Sequence, residues 1–391
     1  MIEEKEIAIL IREYLESHHE KMIHFLKELV ALESPTREIE KQHIILDFLR
    51  VKFEDIGYHV VLVPGKLTGG YLYARPLDRD RSLPLQLIVG HCDTVWPTDT
   101  IKNMPISYDN GMMKGPGIYD MKAGLTQLYF SLLALKAIPA PIKVTPIVLI
   151  NSDEEIGSRE STNSIKSLAK ISNRAYVLEP PLGLDGKLKT ARKGLGRFTL
   201  TVIGKAAHAG LDPEKGINAI VELSHQVQQL YAMNDFEKGI TVNVGMIEGG
   251  ISPNVVAPES KAVVDVRVLN KADGKLITDK IKALKPLLPN VQLTIEGRIG
   301  RPPMERTQRN QELWRIAEEH GRELGINLEQ ATSGGGSDAN TTSIFTATLD
   351  GLGTPGDGAH APHEYIFENK IIERTALLTL LLLTEPLNKN I

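Results

Sequence analysis

At 391 residues the chain is longer than one hydrophobic core usually supports, so two domains are expected. Its content of 42% hydrophobic and 24% charged residues is ordinary for a globular protein, and a formal net charge of -4 with pI near 6.3 argues against a nucleic-acid or anionic-membrane partner. A single cysteine, Cys92, excludes an intrachain disulfide framework, and Met1-Ile-Glu-Glu-Lys-Glu6 lacks the basic and apolar parts of a secretory leader, so a cytoplasmic location is expected.

Apolar positions at helical spacing predict one helix over residues 5–32, followed by the turn Ser34-Pro35-Thr36. Strands are predicted over 58–63, 85–89 and 144–150, with a helix over 123–137, and a further β-prone run covers 174–178. That alternation indicates an α/β layer. From Arg192 the order becomes strand (195–203), helix (216–233), strand (240–247), strand (260–269), helix (272–285), strand (291–296). This β-α-β-β-α-β order is the ferredoxin-like arrangement and reads as an inserted lobe that ends at Arg301-Pro-Pro303. A helix over 310–324 and a buried C-terminal helix, stopped by Pro386, return to the first layer. The longest apolar stretch, 376–383, is far short of the ~20 residues needed to span a bilayer.

Three consecutive acids, Asp153, Glu154 and Glu155, follow the strand 144–150, at the edge where open α/β sheets bind ligands. Adjacent like charges destabilise one another unless a cation lies between them. After the strand 85–89, a period of two places His91 and Asp93 on one face and Cys92 on the other. A carboxylate beside an imidazole suits a metal-bound His held in one tautomer, whereas Cys92 is expected to pack. Asp120, in Gly115-Pro-Gly-Ile-Tyr-Asp-Met-Lys-Ala-Gly124, serves either as a bridging carboxylate or as a cap for the helix behind it. Glu179 ends another β-prone run, and Ala359-His-Ala-Pro-His-Glu-Tyr365 offers His360 or His363. Together with Asp120 and Glu155 these supply an N/O ligand set of the kind that holds two divalent cations. His208 stands in the small-residue loop 204–210, and the turn Gly334-Gly-Gly-Ser-Asp338 has no Gly-Lys-Ser/Thr, which excludes a nucleotide-phosphate loop.

In chain order, Gly-His-Cys-Asp-Thr-Val (90–95), the segment 115–124, Asp-Glu-Glu-Ile-Gly-Ser (153–158), Leu-Glu-Pro (178–180), Gly-Lys-Ala-Ala-His-Ala-Gly (204–210) and the segment 359–365 resemble the motifs of one family. It is the co-catalytic zinc family of glutamate carboxypeptidase, acetylornithine deacetylase, succinyl-diaminopimelate desuccinylase and peptidase T, and the resemblance runs from about residue 20 to the C-terminus. It implies an α/β catalytic domain, a mixed sheet flanked by helices, in two parts (1–191 and 304–391), with an inserted ferredoxin-like lid and dimerisation domain (192–303). It further implies two Zn2+ per chain, or Co2+ or Mn2+, one held by His91 and Glu179 and the other by Glu155 and His360, with Asp120 bridging. Spacing to the closing Glu-aromatic pair selects His360 over His363, although some glutamate carboxypeptidases have a gap one residue longer.

By the same resemblance Glu154 is the general base, Asp93 orients His91, and His208 stabilises an oxyanion from the lid of a partner subunit in a homodimer. Arg267, Asn254 and Arg301 match positions that bind a substrate carboxylate, though Arg267 also suits a strand-face pair with Asp265. The desuccinylase pattern Gly-Thr-Asp-Gly-Arg reads Gly-Ser-Asp-Ala-Asn at 336–340, which counts against that activity. The expected function is a glutamate-carboxypeptidase-like exopeptidase acting on a small peptide or N-acyl amino acid. The alternatives are an N-acyl amino acid deacetylase with the same machinery, an aminopeptidase, or a non-catalytic metal-binding dimer.

Overall fold

The computed structural model describes residues 4–388, so the first three residues of the segment read for a secretory leader lie outside it. The chain forms two compact units: Ala191–Glu305 with Gly334–Gly336, and a first unit that takes the other described residues. The glycine segment sits with the second unit because its carbonyls accept hydrogen bonds there, Gly335 from Arg192 at 3.1 Å and Gly334 from Arg267 at 3.2 Å.

In the first unit a six-stranded sheet runs in the spatial order Tyr58–Val63, Tyr71–Pro76, Thr145–Asn151, Leu85–His91, Ser172–Val177, Ala347–Leu349. The first two pairings are antiparallel and the other three parallel, which makes the sheet mixed. Every residue of Thr145–Asn151 is buried, the pattern of a central strand covered on both faces. The helices Ala123–Ala137 and Lys370–Leu383 are buried round most of their circumference and pack together. Strand Tyr71–Pro76, not predicted from the sequence, alternates buried and half-buried residues and joins Tyr58–Val63 to Thr145–Asn151.

The predicted helix over 5–32 is two helices, Glu4–Ser17 and His19–Ala31. Local polar side chains compete with the backbone at the break: Ser17 Oγ donates to the Tyr14 carbonyl at 2.7 Å, and the His18 ring stacks on Tyr14.

A small antiparallel sheet, in the order Gly356–Asp357, Tyr365–Phe367, Met112–Lys114, Ser107–Asp109, brackets the two loops 115–120 and 358–364. Among the described residues, no helix is long and apolar enough to cross a membrane.

The second unit is a four-stranded antiparallel sheet in the order Thr241–Gly249, Glu259–Val268, Gly194–Ile203, Gln292–Arg301. Numbered along the chain these strands lie 2-3-1-4, the order of the ferredoxin-like fold. Alternate residues such as Phe198, Leu200, Val202, Val264 and Val266 form its core with Ala219, Leu223 and Ile277 of the helices Ala219–Tyr231 and Lys271–Lys282. The first helix starts three residues later than the pattern predicts. Residues Pro213–Lys215 form a separate 3-10 turn, and the Asn218 side chain accepts from the N–H groups of Ile220 and Val221. Its sister begins at Lys271 under an Asn270 cap.

Candidate metal centre

The parallel register sets His91 opposite Asn151 and Val89 opposite both Leu149 and Val177. Three neighbouring strands therefore end level, and the residues just beyond them, 91–93, 153–155 and 179, emerge at one carboxyl edge. Strand Leu85–His91 carries an almost uninterrupted buried run, so His91 arrives only 2% exposed.

Among the described residues, two groups have the spacing of metal ligands, His91 with Asp120 and Glu179, and His360 with Asp120 and Glu155. Asp120 belongs to both. Its Oδ1 lies 3.1 Å from His91 Nε2 and its Oδ2 lies 3.5 Å from His360 Nε2. Glu179 Oε1 is 3.6 Å from His91 Nε2, and Glu155 Oε2 is 3.1 Å from His360 Nε2. His363 belongs to neither group, and Asp120 provides no cap to the helix Ala123–Ala137, whose N-terminal side-chain cap is absent.

Charge is strongly redistributed here. Burial and the Asp120 and Glu154 charges push the Glu155 carboxyl up to about 7 against the opposing pull of His360. Burial would also raise Asp120, but the imidazoles of His360 and His91 overcome it and hold the acid below its usual range. His360 is raised to about 10 by its hydrogen bonds to Asp120 and Glu155. Burial opposes a charge on His91, yet Asp120 and Asp93 raise it well above its ordinary value. Glu155 Oε1 is buried with no hydrogen-bond partner among the described residues. An orphaned carboxylate oxygen beside a shared acid and two imidazoles fits a pair of divalent cations with mixed N/O ligation, and suits zinc, cobalt or manganese.

Asp93 is fully buried and meets more than His91. His91 Nδ1 lies 3.4 Å from Asp93 Oδ1 and 2.9 Å from its carbonyl oxygen. The same carboxylate accepts the N–H groups of Glu154 and Glu155, each at 3.2 Å, and the Thr36 hydroxyl at 2.9 Å. Asp93 thereby sets the 3-10 turn Glu154–Ile156. Asp153, first of the three acids, belongs to neither group and instead accepts from Glu160 N at 2.7 Å and from the Ser161 hydroxyl at 2.6 Å. Cys92 packs in the core of the first unit, where burial raises its thiol.

Two residues were missed in the sequence. Glu364, fully buried, accepts from the backbone N–H groups of Gly117 at 2.9 Å, Tyr119 at 2.9 Å and Asp120 at 3.0 Å, and from the Trp96 indole at 2.7 Å. The available signal is an acid beside two candidate histidines. Asp338, also buried, accepts from Asn151 Nδ2 at 2.7 Å and from the Ser158 hydroxyl, behind the acidic turn.

His208, Asn254, Arg267 and Arg301 all belong to the second unit. The His208 Nδ1 accepts the N–H groups of Gly210 and Leu211, each at 3.1 Å, which leaves the neutral ring's proton on Nε2. Ala209 N donates to the Asn254 carbonyl at 2.9 Å, so the two residues share one loop contact. Arg267 pairs through Nε with Asp265 at 2.7 Å, the strand-face partner considered above. Arg301 lies opposite Leu195 on the last strand.

Residues 190–285 match the model of the peptidase dimerisation domain. Carboxypeptidase G2 of Pseudomonas sp. (strain RS-16) is 28% identical over 352 residues, covering 88% of this chain and 84% of the relative. Aminopeptidase PepT of Bacillus cereus superposes with a TM-score of 0.78 at 22% identity, covering 93% of this chain and 98% of that one. The YXEP protein of Bacillus subtilis, described as a dinuclear metal-binding peptidase of the M20 family, does so with a TM-score of 0.69 at 16% identity over 94% and 98% of the two chains. A dimerisation-domain match in the second unit and a carboxypeptidase aligned along most of the length make the chain similar to metallopeptidases and amidohydrolases of the M20 family.

Proposed function

We propose that the protein is a dizinc exopeptidase that cleaves the amide bond next to a free C-terminal carboxylate, in the manner of a glutamate carboxypeptidase. The observation that carries the reading is the pair of His-carboxylate groups sharing Asp120. The 28% identity to carboxypeptidase G2 supports the carboxyl-side specificity. His91 and Glu179 would hold one ion, Glu155 and His360 the other, with Asp120 common to both. When bound, the two cations supply Lewis acidity, which acidifies a water and polarises an amide carbonyl.

The chain's own residues do the rest. The Glu154 carboxylate takes the proton of the attacking water and returns it to the nitrogen of the leaving amine as the C–N bond breaks. Its placement follows from the turn that Asp93 holds. The Nε2 proton of His208, brought from the lid of a partner subunit, suits donation to the carbonyl oxygen as that oxygen gains negative charge. Asn254, Arg267 and Arg301 would receive the substrate carboxylate, with Arg267 exchanging Asp265 for it. A homodimer through the second unit and a cytoplasmic setting complete the proposal. The edge strand Thr241–Gly249, with Met246 and Ile247 each 58% exposed, is the natural contact.

Amino-acid release from a panel of free-carboxylate peptides, N-acetyl amino acids and C-terminally blocked peptides tests the reading. Chelator-sensitive release confined to free-carboxylate peptides is expected; preferred hydrolysis of N-acetyl amino acids would select the deacetylase, and cleavage of blocked peptides an aminopeptidase. Glu154→Gln is expected to lower kcat about 10^2- to 10^4-fold while metal analysis still finds two ions. Loss of an ion instead would make Glu154 a ligand.

In the metal-free protein both raised pKa values make the fold less stable as pH rises, Glu155 from the ordinary carboxylate range up to about 7 and His360 from the ordinary imidazole range up to about 10. Zinc requires the same deprotonation, so the increment in Tm on adding zinc is expected to grow across this window in calorimetry. Sedimentation at micromolar concentration is expected to return the dimer mass, and Ile247→Glu to return the monomer; a monomeric parent protein would refute the edge-strand contact.

A further inference from the structure

Four donors converge on the side chain of Glu364, and they come from separate parts of the chain. Oε1 accepts Tyr119 N at 2.9 Å and Asp120 N at 3.0 Å, while Oε2 accepts Gly117 N at 2.9 Å and Trp96 Nε1 at 2.7 Å. A carboxylate has about four acceptor sites, so this one is saturated. The three backbone donors converge because Gly117 is left-handed, with φ of 71°, and a Cβ there would lie 2.6 Å from the Thr94 methyl.

Glu364 also belongs to the turn that carries His360. Its own N–H donates to the Ala361 carbonyl at 2.9 Å, its carbonyl accepts from Gly115 N at 3.3 Å, and His360 sits in the same turn at φ of 62°. One side chain thus ties the loop of the shared acid to the loop of the second imidazole, and both to the segment that follows His91 and Asp93. None of its oxygens is offered to the candidate ligands' side chains.

We propose that Glu364 is a positioning residue, with Trp96 as its outer partner, that fixes the Asp120 carboxylate in the orientation shared by both candidate metal positions. The inference rests on the metal reading above. Glutamine cannot replace the carboxylate, because its amide would set two further N–H donors against a ring of donors. Outer partners of this kind are worth about 10- to 100-fold in metal affinity.

The test uses metal-free full-length protein titrated with Co2+, with the visible absorption spectrum and chelator competition as readouts. Wild type is expected to take up two ions. Glu364→Gln is expected to bind about 10- to 100-fold more weakly, with a changed cobalt spectrum and a far-UV circular dichroism spectrum like wild type. Trp96→Phe, which loses one donor and keeps three, should weaken binding by a few-fold. Two ions bound by Glu364→Gln with unchanged affinity and spectrum would overturn the proposal. If that variant does not fold, Trp96→Phe decides, and unchanged affinity and spectrum there overturn it equally. A wild-type protein that takes up no cobalt sinks the metal reading itself and this inference with it, a result distinct from the other two.

Discussion

The rest of the first unit is arranged round a carboxylate held between two imidazoles. Asp120 faces His91 with one oxygen and His360 with the other, while Glu179 and Glu155 approach the same rings from outside. Without a cation, three acids at this spacing must share protons with the histidines, and the group shifts show that strain in charge: one acid pushed up, another pulled down, both imidazoles raised. Burial makes the conflict sharper, because a low dielectric strengthens every repulsion that is not paired. A fold that pays this cost at a level strand edge, with an orphaned Glu155 oxygen, has the electrostatics of a site completed by positive charge.

The architecture explains why the conflict can be sustained. Parallel strands deliver His91, the Glu154–Glu155 turn and Glu179 from neighbouring ends, each anchored by a largely buried strand. Asp120 and His360 come instead from loops, which by themselves are the least fixed parts of a domain. Their fixation comes from the small antiparallel sheet that closes both loops and from hydrogen bonds to buried acids. Rigid strand ends and braced loops together hold side chains that repel one another.

Much of this was legible in the sequence, and the part that was not has a physical reason. Alternation and turn chemistry gave the ferredoxin-like lobe, because its strands have one buried face and period-two patterns survive in them. The site acids and His91 were legible because they follow apolar runs at strand ends. Strand Tyr71–Pro76 escaped because two tyrosines and an arginine break its apolar signal, and only pairing on both sides makes it a strand. The break at His18 depends on side-chain competition that no hydrophobic period records. Asp153 looked like a member of the charged cluster because adjacency in sequence was taken for adjacency in space. A turn separates its carboxylate, held by Glu160 N and Ser161, from the candidate ligands. The roles of Glu364 and Asp338, as opposed to their presence near candidate residues, were not legible for the complementary reason: their partners include backbone N–H groups and an amide from distant segments, and such bonds leave no spacing to read.

Asp93 shows how the proposed base and the proposed metal positions are mechanically one device. A single fully buried carboxylate meets the His91 ring on one side and caps the N–H groups of Glu154 and Glu155 on the other. Any displacement of that carboxylate moves a candidate ligand of the first position, a candidate ligand of the second, and the acid between water and amine. Such a linkage favours catalysis over mere metal storage, since storage needs the ligands alone and gains nothing from holding Glu154 in register with them. Proton transfer has a narrower tolerance than ligation: the base must sit within hydrogen-bond reach of a water that the ligand set has already located. Tying both to one buried acid fixes the base relative to His91 and Glu155, and the carboxyl edge of the parallel strands is the part of the fold able to provide it.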